Sequence, residues 1–159
     1  MKRLVVIPAI IFTLAFSAAA FADRASDCRA MTDKALAFVA DKGLDYSLRV
    51  FGAAGGPFID RELYVFVATT DNVMIAHPYK RGLVGKNVNG VEDTKGTKIF
   101  QAFKDVVETK GSGWVSYWWP RPGEEGDFPK RSYLRKIPGH DAYLGVGYYP
   151  EEQAKLSSR

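Results

Sequence analysis

The chain has 159 residues, 47% hydrophobic and 25% charged, the balance of one soluble domain that needs no disulfide or metal staple. Two of its 22 basic residues, Lys2 and Arg3, belong to an expected leader, which leaves 20 against 18 acidic ones. Those that remain are scattered, apart from Lys80–Arg81 and a group across Lys130–Lys136, and this excludes the basic stripe of a nucleic-acid binder.

Lys2 and Arg3 are followed by an apolar run from Leu4 to Phe16 and by Ala20-Phe21-Ala22, a small-x-small cleavage pattern. Residues 1–22 are therefore expected to be a cleaved signal peptide, with the mature protein exported to the periplasm. A run this short falls below the roughly 20 residues of a spanning helix, although an uncleaved anchor is the alternative. Cys28 is the sole cysteine and cannot form an internal bridge. It is either an unpaired thiol on the first helix or half of an intermolecular disulfide.

Residues 23–42 show apolar positions at helical spacing (Met31, Ala35, Phe38, Val39) and end at Gly43, which predicts a helix. A second short helix is expected over 45–51, closed by the glycine-rich stretch 52–57. Leu63 to Ala68 and Val73 to His77 read as strands of an antiparallel hairpin around Thr70-Asp71-Asn72, and Pro78 stops the second. Residues 97–110 form an amphipathic helix, with Ile99, Phe103, Val106 and Val107 on one face. Strands are expected over 113–119, 131–136 and 143–149, the last two joined by Pro138-Gly139. The order predicts an α+β domain over residues 23–150, a long N-terminal helix packed on a mostly five-stranded antiparallel sheet. A polar tail follows at 151–159.

Chemistry concentrates in the second half. Gly113 to Pro120 holds all three tryptophans, and alternation sets Val115, Tyr117 and Trp119 on one face, Trp114, Ser116 and Trp118 on the other. Rings with polar tips want partners when buried, so Tyr117 and Trp119 fit the lining of a pocket, whereas Trp114 and Trp118 fit core packing plus a surface tryptophan. His77 offers a hydrogen bond at a strand end. Lys130 is either a solvated edge lysine or the positive group that would match a small carboxylate. Alternation puts Ser132 on the face of Lys130 and Tyr133 on the other, so a site shared with Tyr133 requires Lys130 to remain in the loop. No nucleophile–base pair, zinc-spaced Cys/His cluster, haem motif or phosphate loop is present, so neither an enzyme nor a bound cofactor is expected.

The segments Tyr64-Val65-Phe66-Val67, Ile75-Ala76-His77-Pro78, 83–87 (Leu-Val-Gly-Lys-Asn), Gly113-Trp114-Val115-x-Tyr117-x-Trp119-Pro120, Pro129-Lys130-x-Ser132-Tyr133 and 138–149 together resemble the single Cache domain, type 2. That family is similar in fold to PAS domains and serves as the extracytoplasmic input of chemoreceptors and histidine kinases, commonly for small organic acids. The resemblance implies a ligand pocket at His77, Tyr117, Trp119, Lys130, Ser132 and Tyr133, with Phe66 as a wall. It departs from the family at the first hairpin turn (68–72) and at Asp141-Ala142-Tyr143. With no membrane helix or signalling module after Tyr149, the protein is expected to bind a small carboxylate and signal through a separate membrane partner, a chemoreceptor or histidine kinase. A homodimer through the first helix is compatible with the sequence; an enzyme subunit or a structural interaction module are the rival readings.

Overall fold

The computed structural model describes the backbone of residues 12–150 and the side chains from Arg24 onward. Apart from the backbone of 12–22, the expected leader and the polar tail lie outside the described residues. In chain order come α1 (Phe12–Lys42), α2 (Leu44–Phe51), β1 (Ile59–Asp60), β2 (Leu63–Thr69) and β3 (Met74–Ala76), then a 3-10 turn at Arg81–Leu83, α3 (Ile99–Lys110), β4 (Ser112–Pro120), β5 (Asp127–Lys136) and β6 (Ala142–Tyr148). The order α, α, hairpin, α, three strands is the expected α+β architecture. Among the described residues no helix is long and apolar enough to cross a membrane.

The strands form one antiparallel sheet in the order β1-β2-β6-β5-β4, with β3 also on β2. The last strand therefore lies beside the first long one, with Phe66 opposite Gly145 and Val65 opposite Val146. Six strands stand where five are expected. The extra one, β1, is two residues that pair with Leu63 and Tyr64, too short for any periodicity.

Both faces of the sheet are covered, which is why β2 and β6 are buried almost along their whole length. On one face Leu63, Val65, Val67, Leu144, Val146 and Tyr148 pack against Cys28, Ala35 and Val39 of α1 and Phe51 of α2. On the other, Tyr64, Phe66, Tyr117, Trp119, Leu134 and Tyr143 pack against Phe100, Phe103 and Val107 of α3. A period of two sends neighbouring residues into different cores. The helix α3 ends where Gly111 adopts φ 72° and its N–H returns to the Val107 carbonyl, a left-handed stop that glycine supplies without strain.

Two details differ from the sequence reading. First, β5 begins at Asp127 rather than Arg131, and Pro129 is inside it, opposite Trp118. The strand tolerates this proline because its neighbour β6 runs out at Tyr148, opposite Arg131, so no ladder to β6 reaches Pro129. Second, Cys28 is fully buried under the sheet, and burial pushes its thiol up to about 12. An intermolecular disulfide is incompatible with that position; the unpaired thiol is what the fold contains.

Candidate ligand-binding site

The second core encloses a small cavity. Its walls are Tyr64 and Phe66 of β2, Met74 of β3, His77 just beyond it, Phe100 and Phe103 of α3, and Tyr117 and Trp119 of β4. Four of the expected site residues line or support this space from strands far apart in sequence: Phe66, His77, Tyr117 and Trp119. Lys130 and Ser132 reach it through the hydroxyls of two lining residues. Lys130 Nζ donates to Tyr64 Oη at 2.7 Å, and Ser132 Oγ is 2.8 Å from Tyr117 Oη.

Tyr133 is the exception and corrects the expected set. Because Lys130 lies inside β5 and not in the loop, alternation turns Tyr133 to the opposite face. There its ring packs at 5.1 Å and a 45° tilt against Trp114 and lies 4.4 Å beneath the Arg29 guanidinium of α1. It anchors the long helix and touches nothing in the cavity.

Lys130 is the unusual member. Its side chain is 1% exposed, and no carboxylate pairs with it among the described residues. Besides the phenol it lies against aromatic faces, with Nζ 3.9 Å from the Tyr64 ring centre and 5.0 Å from that of Tyr149. Burial holds the amine well below the usual lysine range, with weak opposing pulls from Cys28 and Glu62. A buried cation without a partner costs several kcal/mol, so such a group persists in a fold only where something other than stability retains it.

The neighbouring groups are all uncharged. Burial, with further lowering by Lys130 and Lys80, brings His77 down to about 3. Its Nδ1 accepts the backbone N–H groups of Tyr79 and Lys80 at 3.2 and 3.0 Å, which fixes the proton on Nε2. Pro78 forces the chain to turn there, and the turn wraps those two amides around the ring. Desolvation likewise pushes the Tyr64 and Tyr117 hydroxyls well above the ordinary phenol range. The cavity thus offers hydrogen-bond donors and one amine inside a shell of rings.

Two glycines make room for this arrangement. A Cβ at Gly147 would lie 2.1 Å from Ser132 Oγ and 2.7 Å from Lys130 Cε. One at Gly145 would lie 2.4 Å from Phe66 Cζ and 2.7 Å from Leu134 Cδ1. The Gly-x-Gly spacing of β6 therefore gives Lys130 and Phe66 their places on the cavity face. In this conformation the void is tight: its free volume, about 10 Å³, is that of a single water. A roomier hollow of about 240 Å³ shares Tyr64 and Trp119 with it and opens between the Tyr79–Lys80 turn and the 120–124 turn. Arg121 stands at that opening, 3.1 Å from Glu124 and 5.0 Å from the Tyr149 ring.

Tyr64, Tyr149, Gly145 and Gly147 were not among the expected site residues. Tyr64 is two residues before Phe66 on one strand, so alternation alone puts the pair on one face. The glycines had a weaker signal, a Gly-x-Gly inside an otherwise apolar strand, which marks a close approach by something else.

A helix-backed antiparallel sheet with an enclosed, ring-lined cavity on its other face defines a PAS-like sensor domain. The chain belongs to the Cache domain family: residues 58–154 match the model of that family named dCache_2. It is 25% identical over 93 residues to the methyl-accepting chemotaxis protein McpP of Pseudomonas putida, an alignment covering 58% of this chain and 17% of McpP. The chain thus spans about a sixth of the length of that relative. Among solved structures, the periplasmic sensor domain of a chemotaxis protein is 26% identical with a TM-score of 0.64, covering 87% of this chain and 98% of that one. A methyl-accepting chemotaxis protein from Vibrio parahaemolyticus, 18% identical, superposes with a TM-score of 0.74 over 87% of this chain and 96% of its own. A Cache chemosensory domain described for carboxylic acid recognition, 22% identical, gives 0.66 over 86% and 97%. These relatives are chemotaxis sensor domains, which are not enzymes.

Proposed function

We propose that the protein is a periplasmic binding protein for a small carboxylate, which it senses in the cavity between β2, β4, β5 and α3 and reports to a separate membrane partner, a chemoreceptor or histidine kinase. The observation that carries this reading is the buried Lys130 amine with no acidic partner. A charge-assisted bond to a ligand carboxylate would satisfy it, and such bonds are about twice as strong as neutral ones. His77 Nε2–H and the Tyr117 hydroxyl supply further donors, while Phe66, Phe100, Phe103 and Trp119 take the apolar part of the ligand. That a Cache domain of the same fold recognises carboxylic acids agrees with this assignment.

The void as it stands holds about one water, so a ligand must displace side chains to enter. Binding moves Tyr64 off Lys130 and opens the space towards the outer hollow, a shift between two populations of the domain. The strand β5 carries Lys130 and Ser132 on the cavity side and Tyr133 beneath α1, so displacement of β5 bears on the long helix. A partner that reads α1, or a second copy paired along it, would receive the change.

Calorimetric titration of the purified protein with acetate, propionate and pyruvate tests the reading, with Lys130→Ala as the control. Saturable binding that the substitution abolishes supports it. Unchanged affinity in the variant removes Lys130 as the anion's partner, and absence of binding to every acid favours a structural module with a filled core. Mass spectrometry of metabolites that co-purify with the native protein identifies the ligand without a guess about its chemistry.

A further inference from the structure

We propose that the cavity takes up its carboxylate ligand together with one proton, which ends on Lys130 Nζ as the ligand carboxylate displaces the Tyr64 hydroxyl. The inference rests on the carboxylate reading above and adds its proton stoichiometry and its dependence on pH.

The cavity contains no charge that could receive an anion at no cost. From β2, the Tyr64 phenol faces the amine; from β4, Tyr117, whose backbone pairs with that of Lys130. From the segment after β6 comes the Tyr149 ring, whose hydroxyl is turned away to the Pro120 carbonyl at 2.7 Å. Beyond β3 stands His77, and on α1 the Cys28 thiol, both neutral at ordinary pH. The charged groups that act on this region are Glu62, held by Arg24 at 2.7 Å, Lys80, and Arg121 at the opening. None of them pairs with Lys130. An ammonium sealed among these groups would be isolated, and burial of an isolated charge favours its neutral form. Lys130 in the closed cavity is therefore the free amine, one of its hydrogens shared with Tyr64.

A carboxylate entering alone would bring a second problem of the same kind, a bare anion among phenyl rings. Both are solved in one step. The acid's O–H bond breaks and an N–H bond forms on Nζ, or the anion enters and the proton comes from solvent. The two routes end in the same ammonium–carboxylate pair, neutral as a whole, so equilibrium measurements see one proton taken up per ligand either way.

Linkage gives the sign. Ligand binding raises the affinity of Nζ for a proton, so between the free-state and bound-state values of its pKa the dissociation constant increases with pH, by up to about tenfold per unit. The test is titration of the intact protein with propionate in buffers of different ionisation enthalpy, at several pH values between about 6 and 9. Uptake approaching one proton per propionate, with an affinity that weakens as pH rises, is the expected result. Propionate binding with no proton exchanged and a constant affinity over that range would overturn the inference and leave the carboxylate reading standing. No binding of any acid would overturn both. A 13C resonance of Lys130 Cε gives an independent readout: on propionate addition at fixed pH it moves towards the ammonium position, and a shift that is already ammonium-like without ligand counts against the proposal.

Discussion

Lys130→Met should make the protein more stable and unable to bind. Methionine keeps most of the stem volume and removes a nitrogen that is 1% exposed and bonded only to Tyr64. Folding must strip the proton that the unfolded lysine carries at neutral pH, so an apolar side chain of similar size stabilises by about 1–4 kcal/mol. The Tyr64 hydroxyl loses its partner, which costs about 1–3 kcal/mol. The net expectation is a gain of about 1 kcal/mol, or some 3–5 °C in Tm for a domain of this size. Lys130→Met with Tyr64→Phe removes both polar ends and should gain about 2 kcal/mol, because deleting a pair avoids the unsatisfied group. Urea unfolding at neutral pH followed by far-UV dichroism measures all three proteins. The sign with pH is also set. Folding lowers the Lys130 pKa, so the unfolded chain binds more protons in the window up to about 10.4. Wild type therefore gains stability as pH rises through that window, and the advantage of the methionine variant shrinks. If the single and the double variant are both less stable than wild type by more than about 1 kcal/mol, the amine is a structural member of the core and the reasoning fails.

Gly147→Ala places a methyl 2.1 Å from Ser132 Oγ, so overpacking should cost about 1–3 kcal/mol and abolish carboxylate binding, read by thermal melts and calorimetry. Tyr133→Phe keeps the ring under Arg29 and sits on the opposite face from the cavity, so ligand affinity should be unchanged; a loss would show that the strand-face assignment is wrong. His77 falls from 6.5 to about 3 on folding, so stability from the neutral ring is complete above the unfolded value and is lost as pH falls towards 3. His77→Phe should flatten that part of an acid titration of stability. Asp93 is pushed up by burial, but hydrogen bonds from the Trp118, Thr97 and Lys95 N–H groups outweigh this and hold it below the usual carboxylate range. Asp93→Ala frees the 86–98 segment from β4 and should cost about 1–3 kcal/mol in unfolding experiments.

Much of the candidate site's geometry was legible because it obeys local rules. The alternation of Val115, Tyr117 and Trp119 held over the whole of β4, and His77 lies where Pro78 ends the strand. What failed to show was always a partner from another strand. Whether Lys130 faced inward turned on the start of β5, which a proline obscured, and moving that start into the strand also removed Tyr133 from the site. Tyr64 meets Lys130 across 66 positions of sequence. Nothing in either neighbourhood announces the other.

The amino-acid order by itself determined the elements, their succession and the two-faced character of each strand, since these depend on side chains two to four positions apart and on the turn residues between them. Only the tertiary structure decided that β6 would lie between β2 and β5, and hence that glycines 145 and 147 would open a space in which an amine could be sealed among rings. Strand order and register follow from burying both faces of the sheet at once, a condition on the whole chain that no short window contains.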